Sequence, residues 1–270
     1  MRRKILILVL SLALMFGVGT AASALELEVA GRNMTEAAGA RLVCGQTYVA
    51  LRAVMEEVRP DAQVSWEGGK AVVRAADLEL TAIPGTNYIM ANGRAIYVPD
   101  GILLENGRTL VPLRPLAKAL GAEVTWDGAS TTAGLVPGGR AISGSESYYG
   151  ADDLYWLSRI ISAESRGEPL VGKIAVGNVV LNRVKSDEFP DTIYEVIFDS
   201  RWGGQFEPVR NGTVYNTPTE ESVLAAKLVL DGANTAGESL YFLAPDLTSN
   251  HWTMENRPYV TTIGCHWFYA

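Results

Sequence analysis

Two regimes of apolar spacing divide this chain of 270 residues. Before about position 136, apolar residues come in short clustered or alternating runs. Val72-Val73, Leu78-Glu79-Leu80 and Tyr88-Ile89-Met90 are examples, and they predict short strands separated by turns. After about position 150 the spacing becomes helical. Leu154, Leu157, Ile160 and Ile161 form one stripe, and Val171 to Lys185 carries a second in Ile174, Val180, Leu181 and Val184. Asp152 or Asp153 is the expected cap of the first helix, and Gly167 with Pro169 its end. Thr217-Pro218-Thr219-Glu220 reads as a capping box with proline at the first helical position, opening a third helix that stops at Gly232. Leu240 to Leu243 and Tyr259 to Ile263 read as extended segments. The expected fold class is α+β, with a β-rich α+β first half and a helix-rich second half.

The first half repeats itself. Gly31-Arg32 recurs as Gly93-Arg94, and Thr47-Tyr48-Val49-Ala50-Leu51-Arg52 as Thr109-Leu110-Val111-Pro112-Leu113-Arg114, both displaced by 62 positions (93−31 and 109−47). Val64-Ser65-Trp66-Glu67-Gly68 recurs as Val124-Thr125-Trp126-Asp127-Gly128, displaced by 60 (124−64). Each unit reads as a turn, a short strand, a helix (Val54 to Val58; Leu116 to Leu120), and a strand carrying the tryptophan. Two copies packed together bury faces that one copy leaves bare. The tryptophans are expected in the core, with a ligand platform as the weaker alternative.

Arg2-Arg3-Lys4, the apolar run Ile5 to Val18 and Ala22-Ser23-Ala24 have the layout of a secretory signal peptide. The expected organisation is a signal peptide at 1–24, the repeat domain at 25–136, a Gly/Ser-rich linker at 137–150 and a second domain at 151–270. A secreted, extracytoplasmic protein is the corresponding expectation. A net charge of −7 without a basic stripe makes nucleic acid an unsuitable partner. Cys44 and Cys265 fall in different halves and are expected to be free thiols.

The chemistry centres on Glu164, which continues the apolar stripe three and four residues beyond Ile161 and Ile160. An ionised carboxylate in such a place must pair or take up a proton. A partly dry glutamate with a raised pKa suits a general acid. Spacing alone reads equally as a helix end facing solvent, or paired with Arg159 or Arg166. The chain has only two histidines, His251 and His266, outside any His-Glu-x-x-His helix, so no metal or other cofactor is called for. Cys265-His266 cannot form a dyad on one strand, because neighbouring residues face opposite ways. Neither a Gly-x-Ser-x-Gly elbow nor a phosphate-binding glycine loop is present. Carboxylate chemistry on a carbohydrate remains.

The repeated Leu-Arg-helix-Trp pattern, over Leu27 to Val136, resembles the copper amine oxidase N-terminal-like domain. No histidine lies in that segment, so the resemblance carries no copper argument, and an accessory role is expected: attachment to the wall or a membrane surface. From Leu154 onward the chain resembles the spore-cortex-lytic cell wall hydrolase family of the SleB type. The residues that carry this are Ala163-Glu164-Ser165-Arg166-Gly167-Glu168-Pro169, Gly172 to Val184, Phe189 to Ile193, Gly204-Gln205-Phe206, Leu240-Tyr241-Phe242, Arg257-Pro258 and Ile263 to Phe268.

That resemblance implies a lysozyme-like fold and cleavage of the muramic acid–glucosamine bond of peptidoglycan glycan strands, hydrolytically or as a lytic transglycosylase. Spore cortex during germination is one setting for it. Glu164 is the implied catalytic residue, and Glu168 is expected to be structural. The candidate substrate-binding residues are Gln205, Phe206, Asn182, Tyr215, Tyr241 and Arg257. Two alternatives stay open: an N-acetylmuramoyl-L-alanine amidase with a metal on His251 and His266, and a non-catalytic wall-binding protein.

Overall fold

A strand running straight into a helix is the organising unit of the first half. In chain order the elements are β1 (Glu26–Val29), β2 (Arg32–Asn33), β3 (Arg41–Val43), β4 (Gln46–Ala50), α1 (Leu51–Val58), β5 (Gln63–Glu67), β6 (Lys70–Ala75), β7 (Leu78–Ala82) and β8 (Tyr88–Ala91). They continue with β9 (Arg94–Tyr97), β10 (Leu103–Glu105), β11 (Arg108–Pro112), α2 (Leu113–Leu120), β12 (Glu123–Asp127) and β13 (Thr132–Val136). The computed structural model describes residues 25–201, 204–247 and 252–270. The expected leader and His251 lie outside the described residues.

The two repeats meet where β4 and β11 pair antiparallel, with Val49 opposite Val111, Tyr48 opposite Pro112 and Ala50 opposite Leu110. Shifting by 62 positions turns Tyr48 into Leu110 and Ala50 into Pro112, so the pairs exchange. A pseudo-twofold axis therefore passes through Val49 and Val111. On either side β3 and β10 complete a four-stranded sheet in the order β10-β11-β4-β3. The flanking sheets, β5-β6-β7-β8-β9 and β12-β13-β1-β2, close over α1 and α2. Leu27, Val49, Leu51, Val54, Met55, Leu80, Val111, Leu113 and Leu116 fill one common core.

Trp66 and Trp126 are not in that core. They are 50% and 51% exposed, against the expectation from their recurrence. The cause is register: Val64 and Val124, two residues earlier and hence on the same strand face, pack against the core's rim. The indoles lie one step nearer the hairpin tips, beyond it.

The second half consists of α3 (Ser145–Tyr148), α4 (Ala151–Ser165), α5 (Leu170–Val184), α6 (Ile193–Ile197), α7 (Glu207–Arg210), α8 (Glu220–Leu230), β14 (Tyr241–Leu243), α9 (Trp252–Asn256), β15 (Tyr259–Ile263) and β16 (His266–Tyr269). Helices α4, α5 and α8 cross over a core of Leu157, Ile160, Ile161, Ile174, Val176, Val180, Ala225 and Val229. At the crossing, Gly177 removes the side chain that would meet Ile161 at 2.8 Å and Val229 at 2.9 Å. A small antiparallel sheet, β14-β16-β15, closes the far side. The described residues thus form a mixed α+β protein with a β-rich first half and a helical second half.

Two helix starts differ from expectation. Gly150 caps α4, and Asp152 and Asp153 lie inside its first turn, where their charge complements the helix dipole. Helix α8 begins at Glu220, with the Thr219 hydroxyl accepting from the Ser222 N–H, so Pro218 precedes the cap.

The halves are docked. Segment 137–150 lies along the first half, with Ile142 N–H donating to Ala119 (3.2 Å) and the Asn92 side chain donating to Ile142 (2.8 Å). Hairpin β8–β9 packs against α8, and there Arg94 reaches Asp231 at 2.5 Å, their side chains 6% and 1% exposed. Tyr149 and Lys118 converge on the same carboxylate.

Candidate active site

Helix α4 places Glu164 near its C-terminal end, just after the turns that bury Leu157, Ile160 and Ile161. The carboxyl is partly buried and opens onto a groove of about 430 Å³. Arg159, Ser162 and Arg166 of the same helix and its end line one wall. Glu207, Asn211, Thr213 and Asn216, from α7 and the turn beyond it, line the other. Ser162 also ties the walls together, its Oγ accepting from the Thr219 N–H at 3.2 Å where α8 begins.

Burial pushes the Glu164 carboxyl up from an ordinary 4.5 to about 7, against the opposing pull of the Arg183 guanidinium. Desolvation wins because Arg183 gives a distributed charge, not a hydrogen-bonded ion pair with Glu164. Arg183 projects from α5 and is itself buried. Its Nε donates to the Leu240 carbonyl at 2.8 Å, and Phe189, Phe206 and Tyr241 surround the guanidinium at 4.8, 5.1 and 5.5 Å. Its Nη1 has no hydrogen-bond partner among the described residues. Burial pulls Arg183 down to about 10, so the cation persists at neutral pH.

The other expected site residues fall into two groups. Tyr215 is 60% exposed on the short turn Thr213–Tyr215, whose neighbours Thr213 and Asn216 line the groove. It abuts Trp156 at 6.1 Å and Phe198 at 6.3 Å, an aromatic group completed by Tyr194. Gln205 stands partly buried before Phe206, and Phe206 is itself 3% exposed, packed beneath Arg183 and 6.5 Å from Phe242. Asn182, Tyr241 and Arg257 gather away from the lining of the groove. Asn182 donates to the carbonyls of Gly237 (2.8 Å) and Ser239 (3.0 Å), fixing the loop before β14. Arg257 donates to the Tyr241 hydroxyl at 2.8 Å and to Glu188 at 3.3 Å.

Glu168 is engaged elsewhere. Its Oε2 accepts from the Cys265 N–H at 3.1 Å and sits where any side chain at Gly264 would fall. His266 lies beside Phe242 and Phe268, and burial lowers its pKa. Among the described residues no group of three or more His, Cys, Asp or Glu is arranged to hold a metal. Cys44 and Cys265 are free and exposed. Sequence reasoning gave no site role to Arg183, Asn211 or Asn216. Arg183 carried a signal as one of two cations, with Lys173, on a largely apolar helix; the two asparagines sit in a loop that offered none.

A carboxyl held protonated near neutrality beside a polar groove can donate a proton to an ether oxygen and take one back afterwards. Residues 167–269 match the family model described as Cell Wall Hydrolase, and residues 28–135 that of the Copper amine oxidase N-terminal domain. The cell wall hydrolase CwlJ of Halalkalibacterium halodurans is 34% identical over 100 residues, 35% of this chain and 68% of that protein. The chain belongs to the cell wall hydrolase family. Another member of like sequence, the spore cortex-lytic enzyme of Bacillus cereus, is 38% identical over 120 residues, 44% of this chain and 45% of that protein. The chain thus spans less than half the length of this curated relative. A solved structure, the catalytic domain of the germination-specific lytic transglycosylase SleB from Bacillus anthracis, is 37% identical, covering 45% of this chain and 97% of that one with a TM-score of 0.42. The cell wall hydrolase match begins three residues after Glu164 (167−164) and does not cover it.

Proposed function

We propose that this chain cleaves the glycan strand of peptidoglycan between muramic acid and glucosamine, outside the cytoplasm, with Glu164 as its single catalytic carboxyl. The observation that carries this is a carboxyl kept dry enough to hold a proton to about pH 7 on the wall of an open polar groove. Protonated Glu164 donates to the departing 4-oxygen as the bond to carbon 1 breaks. The resulting carboxylate then accepts the proton of the 6-hydroxyl as that oxygen closes onto carbon 1, leaving a 1,6-anhydro end. One group acts as acid and then as base, so the sugar's own hydroxyl replaces the second carboxylate that most glycosidases need. Water in place of the 6-hydroxyl gives hydrolysis from the same geometry.

In this reading Tyr215, on its exposed turn, offers a face to a bound sugar, and Gln205 orients a polar substituent. Phe206, Asn182, Tyr241 and Arg257 hold Arg183 and the β14 loop in place around the acid. Spore cortex, named for the Bacillus cereus relative, is the proposed natural substrate. The test is mass spectrometry of products released from purified cortex and vegetative sacculi by the native chain and by Glu164→Gln. Anhydro-muramic ends from the native chain and none from the variant are expected. Free peptide stems without new glycan ends, or undiminished release by the variant, would reject the reading.

A further inference from the structure

The pseudo-twofold axis of the first half produces two matching surface grooves, of about 590 and 360 Å³. Each is assembled from both repeats. One sets Arg52 and Trp66 of the first repeat beside Leu104 and Thr109 of the second. The other sets Arg114 and Trp126 of the second beside Leu42 and Thr47 of the first. Arg52 and Arg114, Leu104 and Leu42, and Thr109 and Thr47 are counterparts at the 62-residue offset; the tryptophans are counterparts at 60. Exposure follows the same symmetry, 50% and 51% for the indoles and 50% and 52% for the leucines. Neither tryptophan stacks on another ring among the described residues.

These features point to a ligand. Half-exposing two indoles and two leucines leaves apolar area in water that the neighbouring core does not take up. Charge narrows the choice. The protein is acidic overall, at −7, yet Arg114 is exposed and has no hydrogen bond or ion pair among the described residues. Arg108, at the first groove, makes only a 3.4 Å hydrogen bond to the Ala37 carbonyl. Arg52 lies 3.9 Å from Glu56, both well exposed, a pair of little strength. An indole offers a flat face to the C–H face of a pyranose, and a guanidinium alongside suits a carboxylate. Duplication of both about an axis suits a polymer that presents the same unit repeatedly.

We propose that the N-terminal domain is a two-site grip for an anionic amino-sugar polymer, with Trp66 and Trp126 as sugar platforms and Arg52, Arg108 and Arg114 as partners for its carboxylates. The choice of peptidoglycan glycan as that polymer rests on the function proposed above. The second groove is continuous with a cleft between the halves, of about 310 Å³. Gln46 and Arg114 line both, and Gly232 to Asn234 of the hydrolase half line the cleft's far side. Because Arg94 and Asp231 dock the halves, a strand held by the tryptophans is held at a fixed orientation to the hydrolase half.

The experiment uses the full chain carrying Glu164→Gln, so that the wall is not consumed, and measures co-sedimentation with purified sacculi. Titration with a soluble N-acetylglucosamine hexamer and with anionic phosphatidylglycerol vesicles runs in parallel. Trp66→Ala and Trp126→Ala are each expected to weaken sacculus binding about tenfold, and the double variant about a hundredfold, since two linked sites reinforce one another. Arg52→Ala with Arg114→Ala, both at exposed positions, is expected to weaken binding and flatten its salt dependence. A double tryptophan variant that melts like its parent and binds sacculi equally well would overturn the proposal. So would tryptophan-dependent binding to vesicles in preference to sacculi, or a tryptophan-dependent shift in the protein's own sedimenting mass. Tryptophan-dependent binding by a chain whose native form yields no glycan ends would reject the catalytic reading and leave the grip standing.

Discussion

Glu164 sits where two demands on one side chain conflict. Helix α4 needs apolar contact on that face, and the proposed proton transfer needs a titrating group there. The compromise is a carboxyl raised to about 7, and it has consequences in opposite directions for activity and stability. In the proposed mechanism activity requires the protonated form, so kcat/KM should fall as pH rises through about 7, and Glu164→Gln should lose about 10²–10⁴-fold below that pH, the gap narrowing above it. For stability the sign is reversed. With the folded pKa above the unfolded one, the folded state binds the proton more tightly, and the wild type loses stability as pH climbs from about 4.5 through about 7. Glu164→Gln carries no such cost. It should match the wild type near pH 4 and exceed it by about 2–3 kcal/mol at pH 8, as thermal melts at the two pH values will read; a constant difference would mean the carboxyl is not dry. Arg183 restrains the shift. Removing its charge in Arg183→Met should move the basic limb of the pH–rate profile upward, and Arg183→Lys should bring it back. An unchanged limb in Arg183→Met would remove Arg183 from the electrostatics of the site.

At the scale of elements, Glu164 is only as well placed as the crossing of α4 on α5 and α8. Gly177 lets those helices approach, and a methyl there meets Ile161 and Val229 inside normal contact distance. Gly177→Ala should therefore cost about 1–3 kcal/mol through overpacking, despite alanine's better helix propensity, and lower the melting temperature accordingly. A gain in melting temperature would show the crossing to be looser than described. Much at this scale was legible beforehand, because local period decides it: the α4 and α5 stripes, β14 and β15 appear where spacing put them, and both strand–helix units appear with helices that begin earlier than expected, at Leu51 and Leu113. What escaped depended on distance in the chain. The tryptophan hairpins carry the same alternation whether or not the core extends beneath their tips, so exposure of Trp66 and Trp126 could not be read from spacing. The companionship of Arg183 with Phe206 and Tyr241 needs α5, the α7 loop and β14 brought together, and no periodicity records that.

For the molecule as a whole, the same repeat that builds the first half supplies the device that joins it to the second. Gly31-Arg32 and Gly93-Arg94 are equivalent in sequence, but Arg32 is exposed and pairs with Glu57 on the surface, whereas Arg94 is buried against Asp231, 137 residues away. Arg94 also lies 3.2 Å over the Tyr148 ring, and Lys227 donates to the Gly93 carbonyl at 3.0 Å, so a segment of each half is locked to the other. A buried pair of this kind contributes little over an apolar substitute, but losing one partner leaves the other charged and dry. Arg94→Ala should thus destabilise by about 3 kcal/mol, with Lys118 offsetting part of the Asp231 charge, and urea unfolding should split into two transitions as the halves uncouple. Arg94→Met with Asp231→Leu should recover more than half of that loss, because neither charge remains to be buried. If Arg94→Ala unfolds in one transition at the wild-type midpoint, the pair does not hold the halves together. A strand gripped by the first half would then not be presented to Glu164 at a fixed angle.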